Sequence, residues 1–406
     1  MTQVLRLAVV DPNERNREAL KRLLLGMDSV WLEAECSRYE FFEEIARQCQ
    51  PDVALVALDE NPARALELIE NLRQLPGCSL VALSRSADGE LILRAIRSGA
   101  REFLTLPLEE SELLAALERV GTNANRSGST RQRSGVCIAV AGAGGGVGTT
   151  SLAVNLGCAL AADDSHSVAL VDLDMVLGDA DVFLDTIPDY TLADVAQNVS
   201  RMDFSLLKKS LTQHRSGLYL LPRPVHLQEV SQVGPEDVRR VLGLLKASFT
   251  HVIVDLSKSY SELDMAALSE ADQVLLVTQL DIPCLRNVVR LSMSFDEIES
   301  LRDKTRVVVN RVGLDAGQIG IKKAQDTIGR DIFWQVPNDY RTMGEVRNNG
   351  VPLLERFPKA GITQSIVGLA SALDGGENAL ALDKAGGASG WLNFWPARRV
   401  LARRES

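Results

Sequence analysis

The chain has 406 residues, of which 46% are hydrophobic and 24% charged. That length suits two domains, each able to bury its own core, and the balance excludes a wholly disordered chain. The formal net charge of -10 disfavours nucleic acid as a partner, since non-specific binding needs Lys and Arg to displace phosphate counterions. The amino terminus, MTQVLRLAVVDPNE, carries no basic stretch followed by a long apolar run and cleavage site. No segment is apolar for the length of a bilayer span, so a cytoplasmic chain is expected. Cys36, Cys49, Cys78, Cys137, Cys158 and Cys284 form no CxxC pair, and free thiols in a reducing compartment are expected.

In chain order, Leu5 to Val10 reads as a strand and Glu14 to Leu25 as a helix. Val53 to Leu58 is the next clear strand, followed by a helix from Ala63 to Leu75. Ser79 to Leu83 and Phe103 to Leu106 are further strands, with helices from Gly89 to Ser98 and Glu110 to Val120. Residues 121–135, GTNANRSGSTRQRSG, have no apolar periodicity and read as a linker between domains 1–120 and 136–372. The second domain offers strands at Val136–Ala141, Val168–Leu173, Leu218–Leu221, His251–Leu256, Gln273–Thr278, Arg306–Arg311 and Ile332–Val336. Strands alternating with helical stretches predict an α/β class with parallel sheets in both domains. Residues 373–406 read as a flexible tail.

The sharpest signal is VCIAVAGAGGGVGTTSLAVNLGCAL, residues 136–160. An apolar strand enters a glycine-rich loop, and a helix opens with Thr149, Thr150 and Ser151. Glycines let backbone N–H groups approach phosphate oxygens, and the helix N-terminus adds partial positive charge. A hydroxyl at the helix start can ligate Mg²⁺. Two later strands end in carboxylates, VALVDLD at Asp172 and Asp174 and HVIVDLS at Asp255. One such acid is an ordinary solvated strand end, but two after a phosphate loop point to a metal–phosphate site.

LAVVDPNERNREALKRLL, PDVALVAL and SGAREFLTLPLEESEL give the first domain its order of elements, and on these stretches it resembles a response-regulator receiver. Of the chemistry that resemblance implies, Asp11 remains from the acidic cluster, the phosphoryl-acceptor position reads Ala57, and the lysine position reads Leu106 before Pro107. Asp59 fits the acceptor position only if the alignment slips by two residues. The implied module is a receiver fold that docks or dimerises without phosphoryl transfer.

Residues 136–370 resemble the MinD/ParA ATPases, whose deviant phosphate loop reads GKGGVGKT. The resemblance implies a P-loop fold, ATP or ADP with Mg²⁺, and a homodimer. It places nucleotide contacts at Gly144, Gly145, Gly146, Val147, Gly148, Thr149, Thr150 and Ser151, and Mg²⁺ with Thr150, Asp172 and Asp255. Asp174 falls on the acid that orients the attacking water, the catalytic position. Asn310 and Arg311 in VVVNRV and Pro337 in FWQVPNDY fall around the adenine, although Asn310 reads equally well as a turn residue. Two departures stand out. Gly144 occupies the place of the lysine that reaches the partner's nucleotide, and Thr149 that of the ordinary P-loop lysine. Their loss implies weaker affinity and slow or absent hydrolysis, with Arg311 or Arg223 as candidate substitutes.

Within that superfamily the domain order, the atypical loop and the run TQLDIPCLRN resemble the TadZ/CpaE-like proteins of Flp (Tad) pilus systems. This implies a localisation scaffold, placed at a cell pole and peripherally at the inner membrane. Its partners would be pilus assembly components, including the secretion ATPase. The alternative is an active partitioning ATPase that positions a cargo on membrane or nucleoid. In the tail, Trp391, Leu392, Phe394 and Trp395 precede Arg398, Arg399, Arg403 and Arg404, a composition suited to a membrane interface or a partner groove.

Overall fold

The computed structural model describes residues 5–27, 30–124, 135–199, 202, 204–315 and 317–375. The tail segment from Trp391 to Arg404 lies outside the described residues. In the first unit, strands β1 (Leu5–Val10), β2 (Val30–Cys36), β3 (Val53–Ala57), β4 (Ser79–Ser84) and β5 (Glu102–Thr105) form one sheet in the order β2-β1-β3-β4-β5. Every pair is parallel, so both faces must be covered by helices. The two-residue period divides the core accordingly. Ala8, Val10, Ala54, Val56, Leu80 and Ala82 pack on one face, and Leu7, Val9, Val53, Leu55, Val81 and Leu83 on the other. This is the flavodoxin-like order.

The sequence reading passed over β2 and the helix Tyr39–Cys49. Its strand signal is masked by Glu33, which is buried and paired to Arg6 on the neighbouring strand at 3.0 Å. A glutamate inside a strand reads as solvent-facing unless its partner is known. The last helix of this unit, Glu110–Ala124, runs four residues into the stretch expected as linker, and residues 125–134 lie outside the description.

The second unit contains β6 (Val136–Gly142), β7 (Val168–Asp172), β8 (Thr212–Gln213), β9 (Tyr219–Leu221), β10 (His251–Asp255), β11 (Gln273–Thr278), β12 (Thr305–Val312) and β13 (Ile332–Pro337). Their order is β13-β12-β11-β6-β10-β7-β9-β8. All pairings are parallel except β8 with β9. The seven expected strands appear; β8, only two residues long, carries no readable pattern. From β6 the chain first moves to β7 and β9, then returns through β10 and crosses to β11, so the strand order reverses around β6. Ligands of open α/β sheets bind at the carboxyl ends of strands at such a reversal.

The two units share buried surface. Trp31 on β2 is 2% exposed and joins the cluster that holds Leu207 and Leu211 of the second unit. Among the described residues, no helix is long and apolar enough to cross a membrane.

Candidate functional site

The loop between β6 and the helix Thr149–Leu160 is held from outside by side chains drawn from four distant segments. Tyr260 Oη donates to the Gly142 carbonyl at 2.9 Å, and Asn287 Nδ2 to that of Ala143 at 2.8 Å. Gln279 Nε2 donates to Gly146 O at 3.3 Å, and Asn310 Nδ2 to Val147 O at 2.8 Å. With these carbonyls tied outward, the amides of the same loop are left over. Among the described residues, the N–H groups of Gly144, Gly145, Gly146, Val147 and Gly148 make no well-formed hydrogen bond within the protein. Successive free amides at a helix N-terminus form an anion-binding nest. Gly148 closes it at φ 97°, and a Cβ there would stand 2.5 Å from Asn310 Nδ2, so both the backbone and the neighbour require glycine.

Two carboxylates face this loop. Asp172 ends β7 and Asp255 ends β10, and the strands set them side by side in register. Each is 1% exposed. Asp172 accepts from the amides of Asp174 and Ala180, both at 3.1 Å. Gly178 also packs on it, since a Cβ at Gly178 would lie 2.3 Å from both carboxylate oxygens. Asp172 thus braces the loop that carries Asp174. Burial pushes its pKa up to about 7, the Asp174 charge adds to this, and the two amides and Arg223 oppose it.

Asp255 is different. Neither of its oxygens has a well-formed hydrogen-bond partner among the described residues. Burial raises its pKa well above the carboxylate range and the adjacent Asp172 raises it further, while the Thr150 hydroxyl works the other way. Two adjoining buried carboxylates, one of them orphaned, call for a cation. A Mg²⁺ fits this donor set, with Thr150 and Asp255 as its protein-side oxygens and Asp172 beside them.

The other expected residues surround the nest. Asp174 is half-buried, and its Oδ1 accepts from Leu177 N–H at 3.1 Å within the same turn. Asn310 spends its amide nitrogen on Val147 O and takes the Arg311 N–H on Oδ1 at 2.8 Å; it is a brace of the loop. Arg311 stands at φ 56°, beside Val312, which pairs with Pro337 across β12 and β13. Ser151 gives its carbonyl to Asn155 Nδ2 at 2.8 Å.

Arg223 holds the carbonyls of Gly178 and Pro224 at 2.7 and 2.8 Å, so it secures the Asp174 loop. A lysine beside the nest gave little signal in the sequence. Lys258, in the loop after β10, runs across Gly145, with its Cδ 3.7 Å from where a Cβ on Gly145 would stand. Its only signal in the sequence is its place three residues after Asp255.

In the first unit, Ala57 ends β3 and Leu106 precedes a cis Pro107. Asp11 is buried and accepts from Asn13 N–H at 2.8 Å. Asp59 is engaged by the Ser84 hydroxyl at 2.6 Å and the Arg85 amide at 2.9 Å.

Residues 135–307 match the AAA domain family. The septum site-determining protein MinD of Bacillus subtilis is 32% identical over 180 residues, covering 44% of this chain and 65% of that protein. MinD of Thermotoga maritima is 27% identical over 225 residues, 54% of this chain and 81% of the relative. Among solved structures, a ParA family ATPase from Chlorobium tepidum superposes with a TM-score of 0.57 at 26% identity, over 60% of this chain and all of that one. MinD from Pyrococcus horikoshii, solved with Mg-ADP, gives 0.53 at 24% identity over 62% of this chain and 99% of that one, a likeness of fold. The phosphate nest, the paired strand-end carboxylates and these similarities give the second unit the P-loop fold of the MinD/ParA ATPases, to which it is similar over residues 135–307.

Proposed function

We propose that the chain is a nucleotide-gated scaffold: it binds ATP or ADP with Mg²⁺, uses the nucleotide to control homodimerisation, and turns ATP over slowly or not at all. The observation that carries this is the pairing of an intact nest with an incomplete charge set. Five free amides, Thr150 and the orphaned Asp255 supply what binding needs. Gly144 and Thr149 stand where hydrolysis requires lysines. In this reading Gly144 to Ser151 cradle the phosphates, and Thr150, Asp172 and Asp255 form the Mg²⁺ side. Arg311 and Pro337 border the base, and Asp174 is the water-orienting acid whose helpers are missing.

The resemblance of TQLDIPCLRN and of the domain order supports a role in Flp (Tad) pilus assembly at a cell pole, beside the system's secretion ATPase and against the inner membrane. The first unit, a receiver-like fold with Ala57 and Leu106 at its chemical positions, then serves as a docking module. Calorimetric titration of ATP and ADP with Mg²⁺, run beside a phosphate-release assay and light scattering of the oligomer, tests the reading. Micromolar binding, negligible release and a nucleotide-dependent dimer are expected. Rapid turnover would instead identify an active partitioning ATPase, and absence of binding would mean that the site is vestigial.

A further inference from the structure

At the amino-terminal ends of the central strands β7 and β10, opposite the phosphate nest, three side chains from distant segments converge. His251 opens β10, His166 lies two residues before β7, and Asp374 caps the helix Gly361–Leu373. Their ligand atoms all lie within 4.8 Å of one another. His166 Nε2 is 3.4 Å from Asp374 Oδ2, and His251 Nε2 is 3.2 Å from Asp374 Oδ1. The imidazole rings are 4.6 Å apart between centroids.

The other ring nitrogens decide what these three atoms present. His166 Nδ1 lies 3.1 Å from the Leu160 carbonyl, which can only accept, so Nδ1 carries the proton. His251 Nδ1 lies 3.1 Å from Thr250 Oγ1. That hydroxyl gives its own proton to Ser167 O at 2.9 Å, so it too accepts from the ring. Both neutral imidazoles are therefore fixed as Nδ1–H tautomers, and both Nε2 lone pairs point toward a carboxylate. His251 is 4% exposed, and its Nε2 has no well-aligned hydrogen-bond partner among the described residues. Three electron-pair donors meeting with no proton between them require a cation.

We propose that His166, His251 and Asp374 form a binding site for a divalent transition ion of the Zn²⁺ class. Two imidazoles with one carboxylate are a borderline donor set that suits Zn²⁺ over Mg²⁺ or Ca²⁺. The Nδ1–H bonds to a carbonyl and a hydroxyl are the outer contacts that orient metal-ligating histidines. Ligand atoms about 2.0–2.2 Å from a tetrahedral Zn²⁺ stand roughly 3.3–3.6 Å apart, close to the 3.4 and 3.2 Å that separate the two Nε2 atoms from the Asp374 oxygens. The Asp374 side chain is 43% exposed, which leaves a fourth position to water. The site would pin the end of the last helix to the sheet, and through Leu160 O it adjoins the far end of the helix that begins at the nest.

The test uses the untagged full chain, stripped with chelator and titrated with Zn²⁺ against a chromophoric competitor, with Co²⁺ as the spectroscopic probe. One Zn²⁺ per chain, a Zn²⁺-dependent rise in Tm, and Co²⁺ d–d bands without a thiolate charge-transfer band are expected. His166→Gln and Asp374→Ala, both at partly exposed positions, should each weaken Zn²⁺ at least about 100-fold, beyond what losing an outer contact costs. Asp255→Asn, at the nucleotide site, should retain it. Unchanged Zn²⁺ affinity in both His166→Gln and Asp374→Ala, a thiolate band, or no Zn²⁺ binding to the parent would overturn the assignment. In the last case the cation held by the three groups is a proton.

Discussion

Replacing Asp255 by Asn should make the nucleotide-free protein more stable and the nucleotide-bound protein less so. Asp172 and Asp255 lie buried side by side. Burial, with a smaller push from the Asp174 charge, raises the Asp172 pKa from 3.8 to about 7, and burial and the Asp172 charge move that of Asp255 well upward. A raised carboxyl pKa means that the folded state holds a proton the unfolded chain releases. The associated stability is complete below about pH 4 and is lost as pH rises through about 7. For Asp172 that loss is about 4 kcal/mol. Asn at position 255 cannot ionise, so the stability that Asp255 itself loses through its raised pKa returns, about 2 kcal/mol. For a domain of this size, about 2 kcal/mol corresponds to a Tm about 4–8 °C higher. Mg²⁺ with nucleotide relieves the same repulsion in the parent, so its stabilising increment should grow from pH 5.5 to 8, and Asp255→Asn should abolish that growth. Differential scanning fluorimetry at both pH values, with and without Mg²⁺-ADP, measures all four states. A variant that melts below the parent at pH 8 and keeps the full Mg²⁺-ADP increment would refute the reasoning.

Three further outcomes are expected. Gly148→Ala combines backbone strain of about 1–2 kcal/mol at φ 97° with displacement of the Asn310 brace, worth about 1 kcal/mol; ADP affinity by calorimetry should fall about 30-fold or more, and unchanged affinity would mean the nest is unused. Lys258→Met keeps the aliphatic stem over Gly145 but removes the charge, so ATP binding should weaken by about 1–2 kcal/mol, about 5- to 30-fold, with full-strength binding ruling out Lys258 as the cation. Trp31→Ala empties a buried site between the units and should cost about 3–5 kcal/mol; calorimetry should show the single melting transition dividing in two, and an unaltered melt would contradict the shared core.

The parts of the second unit that were legible in the sequence are those whose cause is local. An apolar run before a glycine loop and hydroxyl residues states strand, nest and helix within residues 136–160, and Asp172 and Asp255 are visible as acids ending apolar strands. Lys258 was illegible because its contact with Gly145 joins loops over 100 residues apart. Arg223 and Arg311 looked like equal candidates for the missing charge, but the Arg223 guanidinium is taken up by the Gly178 and Pro224 carbonyls. Asn310 could not be divided between base contact and turn until its amide was seen on Val147 O. Strand β2 was hidden by Glu33, whose partner Arg6 lies 27 residues away. His166, His251 and Asp374 gave no motif at all, since only the fold brings them together.

The two units pose the same electrostatic problem and solve it differently, which is the strongest argument for assigning them different work. Each is an open parallel sheet with a buried acid at the end of a strand beside the reversal point, Asp11 in the first and Asp255 in the second. In the first unit the nearby Asp59 is saturated by Ser84 and Arg85, the strand-end position facing the reversal is Ala57, and Leu106 stands where a cation would be needed. One Asp11 oxygen also lacks a partner among the described residues, but neither an acceptor at position 57 nor a lysine at position 106 accompanies it. In the second, the five nest amides and the buried Asp255 carboxylate are left open, while the carbonyls of Gly142, Ala143, Gly146 and Val147 are tied outward. An open buried carboxylate costs stability, and Mg²⁺ would offset that cost. Burial in the first unit is therefore spent on structure and on the Trp31 contact, while in the second it is held in reserve for Mg²⁺ and phosphate.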